Sequence, residues 1–232
     1  YTIYFHYTKY SNQEDNIMGK IKMWSNNYRC FVTTPNGTIV AGGKEYVGLL
    51  YSEDKGKTWQ RSNINCGHFY SLVVINNTII AGSYSNMGLY YSEDNGKTWN
   101  QSNVIDNNFN KLIVVNNAVI ACCNSGNWTF CSENDGHTWY LTNIDANYIN
   151  CLTVIGSTVI AGSGYYKGLY YSDDKGKTWN QSNIDTGSFN CLTTIGDTVI
   201  AGSDSGKGLL YSKNKGKTWN RSVINSHYID CL

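Results

Sequence analysis

The sequence contains very little proline and little charge. Pro35 is its one proline in 232 residues, and charged residues make up 15% of the chain with a net charge of +1. A nearly neutral chain offers no basic surface for nucleic acid or for an acidic membrane, so neither is expected as a partner. Its apolar runs are also far shorter than the roughly 20 residues that cross a bilayer. We therefore expect no membrane insertion.

Histidine is also scarce, and no cluster of metal ligands is visible. The four histidines, which are His6, His68, His137 and His227, show no ligand spacing. No glycine-rich loop for phosphate binding occurs either. We therefore predict no metal and no cofactor. Because the sequence begins with Tyr1 and not with Met, we expect it to be a processed product or part of a longer chain.

Aromatic residues are abundant, reaching 14% with 19 Tyr and 7 Trp, beside 23 Gly. This composition excludes a disordered chain, a collagen and a coiled coil. Among the eight cysteines, four share one position of the repeat described below and are interpreted as small buried side chains: Cys30, Cys151, Cys191 and Cys231. The one disulfide that the sequence would allow joins Cys122 or Cys123 to Cys131 across a short hairpin.

The dominant feature is a repeat of 40 residues. Five tryptophans recur at this spacing: Trp59, Trp99, Trp139, Trp179 and Trp219. Each unit contains four short runs rich in β-branched and aromatic residues, separated by turn residues. In the fourth unit the runs are 149–155, 158–162, 168–172 and 177–181. Four antiparallel strands in about 40 residues form one blade of a β-propeller.

The number of first strands predicts an all-β, six-bladed β-propeller. These strands begin near Tyr28, Phe69, Phe109, Ile149, Phe189 and Ile229. The last copy ends at residue 232, so we predict that residues 1–25 and 226–232 together form blade six and close the ring. Blades one to five are predicted at about 26–63, 64–103, 104–143, 144–183 and 184–225 of a single domain that spans residues 1–232.

Each unit also carries the pattern Ser-x-Asp-x-Gly-x-Thr-Trp. It is complete at 52–59, 92–99 and 172–179, whereas Asn134 and Asn214 replace the aspartate in the other two units. This pattern resembles the Asp-box, or BNR/sialidase-type repeat. We predict that the carboxylate or amide accepts backbone N–H groups in a turn, and that the glycine supplies a positive φ. The residues given this structural role are Ser52, Asp54, Gly56, Trp59, Asp94, Trp99, Asn134, Trp139, Asp174, Trp179, Asn214 and Trp219.

The resemblance implies a propeller with its ligand site on the face opposite the boxes. Families that carry the box include sialidases, some β-glucanases, sorting-receptor ectodomains and a photosystem assembly factor, so the fold alone does not decide the function. A sialidase would need three arginines around the substrate carboxylate. Of Arg29, Arg61 and Arg221, two are expected on outermost strands. We therefore predict no catalytic residues, and a divergent sialidase-like glycoside hydrolase is the alternative.

Two sets of loops differ from blade to blade, and both are expected on the face opposite the boxes. They carry the side chains that we predict to bind ligand: Tyr46, His68, Tyr84, Tyr148, Tyr165, Tyr166 and Tyr228. Rigid aromatic rings beside short polar side chains suit sugars and protein loops. We predict a non-catalytic, carbohydrate-binding module that acts outside the cell or at its surface. The alternatives are a protein-interaction scaffold or adhesin, and drift in unconstrained loops.

A ring of lysines is expected on the Asp-box face. Its members are Lys57, Lys97, Lys177 and Lys217. Because acidic residues lie close to them in the sequence, we interpret the ring as a solvated rim. A site for a polyanion is the alternative.

Overall fold

The computed structural model describes residues 28–44, 47–124, 128–146 and 148–223, together with Ile229. Within these ranges the protein is all-β and contains five antiparallel sheets of four strands each. No helix in these ranges is long and apolar enough to span a membrane. Each sheet uses four consecutive strands in their order along the chain, so every unit of the repeat folds as one sheet.

The strands of the five sheets have the following bounds. Sheet one contains β1 (Tyr28–Thr33), β2 (Ile39–Gly43), β3 (Leu49–Ser52) and β4 (Gln60–Arg61). Sheet two contains β5 (Phe69–Ile75), β6 (Thr78–Ser83), β7 (Leu89–Ser92) and β8 (Asn100–Gln101). Sheet three contains β9 (Phe109–Val115), β10 (Ala118–Cys123), β11 (Thr129–Ser132) and β12 (Tyr140–Leu141). Sheet four contains β13 (Ile149–Ile155), β14 (Thr158–Ser163), β15 (Leu169–Ser172) and β16 (Asn180–Gln181). Sheet five contains β17 (Phe189–Ile195), β18 (Thr198–Ser203), β19 (Leu209–Ser212) and β20 (Asn220–Arg221).

The fourth strand of each sheet is shorter than the sequence predicts. In sheet four, the first strand has the predicted bounds, but the predicted start of the last strand at Lys177 is wrong, since β16 contains only Asn180 and Gln181. The preceding residues form the Asp-box turn and are not available for pairing. The outermost strand is therefore a two-residue edge, and such a short edge offers little template for further strand pairing.

Five sheets are described where the sequence predicts six blades. The predicted sixth blade falls on residues 1–25 and 226–232, which lie outside the described residues except for Ile229. The thiol of Cys191 lies 3.6 Å from the carbonyl oxygen of Ile229. The thiol of Cys151 makes the corresponding contact with the carbonyl oxygen of Phe189, at 3.3 Å. Ile229 therefore contacts sheet five in the way that Phe189, the first residue of sheet five, contacts sheet four.

Consecutive sheets approach closely at a glycine in the second strand. A Cβ atom at Gly82 would lie 2.9 Å from the Cβ atom of Phe109, which begins sheet three. At Gly162 the corresponding distance to Phe189 is also 2.9 Å. Real side chains do not pack at such distances, so glycine allows the next sheet to come this close. The phenylalanines that it admits are fully buried.

The hydrophobic core lies between consecutive sheets. One cluster, for example, contains Ile120 and Cys122 of sheet three together with Val159 and Trp179 of sheet four. The second strand of sheets two, three and four is buried along its whole length, because both of its faces are covered by neighbouring sheets. The Asp-box tryptophans of sheets two to five belong to the core that their own sheet shares with the preceding one: Trp99, Trp139, Trp179 and Trp219.

In sheets one to four, an asparagine after the outer strand attaches the sheet to the tryptophan of the next sheet. Asn63 accepts the Trp99 N–H at 2.8 Å through Oδ1, and its Nδ2 donates to the Trp99 carbonyl at 3.0 Å. Asn103 forms the same two bonds with Trp139, at 2.8 and 2.9 Å. The other asparagines bonded to the next tryptophan are Asn143, to Trp179, and Asn183, to Trp219. We call these contacts the asparagine clamps.

The Asp-box satisfies its polar groups within its own turn. In the first box, Asp54 Oδ1 accepts the Thr58 N–H at 2.8 Å, and Oδ2 accepts the Thr58 hydroxyl at 2.6 Å. Gly56 has a φ of +82° and donates its N–H to the Ser52 hydroxyl at 2.8 Å. The Trp59 indole N–H donates to the Gly56 carbonyl at 3.1 Å. The turn therefore places a large apolar ring in the core without an unpaired N–H group.

Asparagine replaces aspartate in two boxes and keeps the same bonds. Asn134 Oδ1 accepts the Thr138 N–H at 3.0 Å, and Nδ2 donates to the Thr138 hydroxyl at 2.9 Å. Asn214 and Thr218 show the same pair of bonds, at 2.9 and 2.8 Å. The threonine hydroxyl accepts here, whereas it donates to the carboxylate in the other boxes. The two kinds of box therefore differ mainly in charge.

Hydrogen bonds hold the carboxylates of the boxes in their charged form. The hydroxyl and N–H of Thr58 lower the pKa of Asp54 to about 2. At Asp94 and Asp174, desolvation raises the pKa, but the bonds from the following threonine and the preceding serine outweigh it. The pKa of both groups is consequently below its ordinary value.

These lowered pKa values predict that the aspartate boxes make stability depend on acidic pH. Their stabilisation is complete above the unfolded pKa of about 3.9 and is lost as the pH falls through the lower folded value. Replacing Asp54, Asp94 and Asp174 together by asparagine should leave Tm at pH 7 nearly unchanged. The decline of Tm between about pH 4 and pH 2 should become shallower. Thermal unfolding measured across this range checks the prediction, and an identical decline in both proteins would contradict it.

The asparagine clamps predict a second effect on stability. Asn103→Ala removes two bonds between sheets two and three and leaves both backbone groups of Trp139 without their partner. We expect it to lower the free energy of unfolding by about 1 to 2 kcal/mol. Asn100→Ala, on the exposed edge strand of sheet two, is the control and should change it by about 0.5 kcal/mol or less. Equal effects of the two variants in urea denaturation would show that the clamp does not stabilise the sheet pair.

Candidate functional site

The two sets of variable loops lie together at one end of the sheets. In sheets two to five, a backbone hydrogen bond joins the loop that precedes the sheet to the loop between its second and third strands. The Tyr84 N–H donates to the His68 carbonyl at 2.7 Å, and the Gly164 N–H donates to the Tyr148 carbonyl at 2.8 Å. Asn124 bonds to the Asn108 carbonyl in the same way, at 2.7 Å. We call this end of the sheets the loop face.

A pocket of about 290 Å³ lies between the loop face and the first strands of sheets two, three and four. The first strands supply Tyr70, Asn110, Lys111 and Asn150. The loops supply Tyr84, Asn124 and Tyr148. The lining thus combines three tyrosine rings, three asparagine amides and one lysine.

A β-bulge turns one polar side chain of each first strand toward this region. In sheet two, Phe69 pairs with Ser83 and Ser71 pairs with Gly82, which leaves Tyr70 between them as the extra residue. The same register shift occurs near the start of the first strand in every described sheet. The residues at the bulges are Arg29, Tyr70, Asn110, Asn150 and Asn190. A bulge re-aims a side chain out of the regular alternation. The five residues occupy equivalent positions in the first strands of five sheets, and we call them the polar column.

Neighbouring members of this column contact one another. Asn150 Nδ2 donates to Asn190 Oδ1 at 2.5 Å. The guanidinium carbon of Arg29 lies 5.4 Å from the centroid of the Tyr70 ring, within the range of a cation–π contact. The column is therefore continuous across sheet boundaries at both of these places.

The tyrosine rings are held by packing and by one amide. Tyr70 and Tyr84 lie with ring centroids 4.5 Å apart, and Asn124 Nδ2 donates to the Tyr84 hydroxyl. Tyr148 packs edge to face against Tyr165, with centroids 5.5 Å apart. Rings that are fixed before a ligand arrives lose little conformational entropy when it binds.

Sheet three departs from the others at two facing positions. Lys111 stands where the other first strands have Cys30, Ser71, Cys151 or Cys191, and its partner in the ladder is Cys122, which stands where the other second strands have glycine. In sheet four, a Cβ atom at Gly162 would lie 2.6 Å from the sulfur of Cys151. A cysteine in the second strand therefore fits only when the facing first-strand side chain points away from the space that the Cys151 sulfur occupies in sheet four. Lys111 leaves it and is exposed, while Cys122 is fully buried.

Asn110 carries an unpaired acceptor next to Lys111. Its Nδ2 donates to the Ile149 carbonyl at 3.4 Å. Between sheets four and five, the equivalent carbonyl, that of Phe189, is contacted by the thiol of Cys151 instead. The Oδ1 of Asn110 is buried and has no hydrogen-bond partner. A buried acceptor without a donor is costly, so a ligand that donates to it is favoured.

The structure distributes the predicted ligand-binding residues unevenly. Tyr84 and Tyr148 line the pocket, Tyr165 supports Tyr148, and His68 contributes its carbonyl to a loop contact. Tyr166 does not line it and is 67% exposed, with a φ of +59°. Tyr46 and Tyr228 lie outside the described residues.

Sequence reasoning missed five lining residues, which are Tyr70, Asn110, Lys111, Asn124 and Asn150. The signal for three of them was a polar or aromatic residue at the second position of every first strand.

The arginines do not converge on the pocket. Arg61 and Arg221 lie on the outer strands β4 and β20, and their guanidinium groups donate to backbone carbonyls of their own sheets. Arg29 alone belongs to the polar column. Among the described residues, no group of three or more His, Cys, Asp or Glu could hold a metal ion.

Ion pairs link consecutive boxes on the Asp-box face. Lys97 pairs with Glu53 at 2.7 Å, Lys177 with Glu133 at 2.8 Å and Lys217 with Asp173 at 2.9 Å. Because these pairs are exposed, each stabilises the fold only slightly. They do neutralise three lysines of the predicted ring, which favours the solvated rim over a polyanion site.

The described cysteines form no disulfide, so the bridge considered between Cys122 or Cys123 and Cys131 does not form. The register explains this result, since Cys131 lies opposite Ile120 in the ladder and Cys122 lies opposite Thr129. Burial raises the pKa of the Cys30, Cys122 and Cys151 thiols to about 12. Little of the reactive thiolate is then present at neutral pH.

The comparison with protein families agrees with the repeat geometry. Residues 90–101 and 170–181 match the model of the BNR/Asp-box repeat. The chain carries Asp-box repeats. The matched segments contain the second and fourth boxes and the edge strands β8 and β16 that follow them. No curated protein matches the sequence.

Several solved structures resemble the chain in fold. The computationally designed Ika8 protein has a TM-score of 0.69 at 12% identity, over 88% of this chain and 64% of that one. The GH74 enzyme of Niastella koreensis has a TM-score of 0.63 at 18% identity, over 87% and 31%. YCF48 bound to D1 peptide has a TM-score of 0.61 at 14% identity, over 84% and 68%. At these identities the likeness shows the fold, which is β-propeller-like, and the chain spans less than two thirds of the first two proteins.

The paired change in sheet three makes a prediction about packing. Lys111→Cys alone should place a thiol against Cys122 and lower the free energy of unfolding by about 1 to 3 kcal/mol. Adding Cys122→Gly restores the pair found in sheets one, four and five and should recover most of this loss. Urea denaturation of the two single variants and the double variant measures the coupling. Strictly additive effects would show that the two positions are independent.

Proposed function

We propose that the protein is a non-catalytic binding module that holds a carbohydrate in the pocket of the loop face. The observation that carries the proposal is the lining itself, in which three tyrosine rings and three asparagine amides surround one cavity. No aspartate or glutamate is among the described lining residues. Such a cavity can bind a polar ligand and offers no acid or base for hydrolysis.

The lining suits the two kinds of surface that a sugar presents. The C–H faces of a pyranose are apolar and pack on aromatic rings, for which the Tyr70–Tyr84 pair and Tyr148 are placed. Its hydroxyls donate and accept hydrogen bonds, and asparagine amides offer both functions. Few polar groups among aromatic walls are typical of specific small-molecule pockets.

The arrangement gives little support to the glycoside hydrolase alternative. A glycosidase places two carboxyl groups roughly 5 to 10 Å apart across the bond that it cleaves. Asp54, Asp94 and Asp174 are bonded within their boxes at the opposite end of the sheets. A sialidase would also need Arg61 and Arg221 near Arg29, and both lie on outer strands.

A protein ligand is the second candidate, because one structural neighbour is YCF48 bound to D1 peptide. Exposed aromatic side chains at the loop face, such as Tyr165 and Tyr166, would suit a protein loop. We also propose that residues 1–25 and 226–232 complete a sixth blade, supported by the position of Ile229 beside sheet five. The proposed location outside the cell is compatible with the reduced thiols of Cys30, Cys122 and Cys151, since burial raises their pKa and slows oxidation.

Tyr148→Ala tests the carbohydrate proposal directly. Wild-type protein is screened on a glycan array, and the best glycan is titrated against each variant. We expect Tyr148→Ala to weaken binding about 30-fold, as loss of a buried aromatic anchor does. The double variant Tyr165→Ala/Tyr166→Ala should weaken it less, because these rings lie outside the lining. Both variants should keep the wild-type Tm within a few degrees.

The matched control lies on the opposite face. Lys97→Gln/Lys177→Gln changes two exposed ion pairs of the Asp-box face and should leave glycan binding unchanged. If the lysine variant loses binding and Tyr148→Ala does not, the assigned face is wrong. If no glycan binds, the carbohydrate proposal fails and the protein candidate is favoured.

A further inference from the structure

We propose that the pocket selects an acidic saccharide, whose carboxylate pairs with Lys111 and whose neighbouring hydroxyl donates to Asn110 Oδ1. This inference rests on the proposed carbohydrate-binding function and adds the chemical class of the sugar. It assigns the specificity to sheet three alone, although five sheets repeat the same framework.

Lys111 is the single charged side chain of the described pocket lining. No described carboxylate lies within ion-pair distance of it, whereas Lys97, Lys177 and Lys217 on the opposite face each have an acidic partner. Lys111 lies beside tyrosine rings and has no acidic partner among the described residues. Such a cation attracts an anionic group of the ligand. A neutral sugar would leave this charge uncompensated.

The core of sheet three is rebuilt around this lysine. The cysteine or serine of the other first strands fills a space between sheets, and in sheet three that space is filled from the facing strand by Cys122. The thiol-to-carbonyl bond that Cys151 makes with Phe189 is replaced by the amide of Asn110, which donates to Ile149. Lys111 is therefore accompanied by two compensating changes, Cys122 in the facing strand and the Asn110 bond to Ile149. A surface residue that varies without functional constraint would not need them.

The same change supplies the second recognition element. Because Nδ2 of Asn110 is used between the sheets, its Oδ1 is left buried without a donor. Asn110 is the extra residue of the bulge, so it and Lys111 line one pocket although they are consecutive in a strand. A cation beside a buried acceptor matches a carboxylate with a hydroxyl on a neighbouring carbon, which is the pattern of a uronic acid.

Galacturonic acid and its methyl ester form the matched ligand pair that tests the inference. The ester keeps the ring and its hydroxyls but removes the negative charge. Isothermal titration calorimetry should show the acid binding at least about tenfold more tightly than the ester, which is the size expected for one charge-assisted hydrogen bond. The advantage should decrease with added salt, since it depends on an exposed lysine.

Lys111→Gln should bind the acid and the ester equally, at about the affinity of wild type for the ester. Lys213→Gln removes the same charge from an exposed position on the Asp-box face and should keep the full preference. Asn110→Leu should weaken both ligands, because it removes the acceptor for the hydroxyl and does not alter the charge.

Equal binding of acid and ester to the wild type would overturn this inference and leave the carbohydrate proposal standing. A preference for the acid that persists in Lys111→Gln would likewise overturn the role of Lys111. Failure of both ligands to bind would overturn the acidic-saccharide class. A neutral glycan that binds on the array and is lost in Tyr148→Ala would then separate this failure from that of the proposed function.

Discussion

Contact between consecutive sheets is the interaction on which the rest of the structure depends. A four-stranded sheet with two apolar faces cannot bury both of them alone, and here the faces meet in clusters that combine residues of adjacent sheets. Glycine in the second strand lets the next sheet come close, as at Gly82, except in sheet three, where Cys122 takes this position. The asparagine clamps join consecutive sheets by hydrogen bonds. Val223 stands where the clamp asparagine is found in the preceding sheets, and its side chain is 99% exposed. Valine has no side-chain donor or acceptor, so Val223 cannot form such a clamp.

The features of the fold that the sequence predicts correctly are those that lie within one unit of the repeat. Strand order, the sheet of four strands and the Asp-box turn depend on residues within one unit, so the alternation of apolar runs and turn residues was sufficient. The clamp was not predicted, because Asn103 and Trp139 belong to different units and their contact depends on how two sheets pack. The pocket lining was missed for a related reason. A bulge decides where the Tyr70 and Asn110 side chains point, and bulges leave no clear signal in a sequence of otherwise regular strands.

The two ends of the sheets serve different purposes. At the Asp-box end, every described box repeats the same bonds, and exposed ion pairs connect one box to the next. At the loop face, blades differ from one another, and sheet three combines a lysine that has no acidic partner among the described residues with a buried acceptor. A framework whose stability comes from one end and from the inter-sheet core can change residues at the other end with little loss of stability. This separation lets a repeated fold carry a single, asymmetric binding site.

Photo-crosslinking with an acidic oligosaccharide that carries a diazirine tests the central claim, which is that ligand binds in the loop-face pocket. Peptide mass spectrometry of the labelled protein locates the contact without any substitution. We predict labels on peptides that contain Tyr70, Tyr84 or Tyr148, and competition by unlabelled oligosaccharide should remove them. Labels concentrated on the Asp-box peptides around Lys97 and Lys177, with the loop face unlabelled, would contradict the assignment of the site.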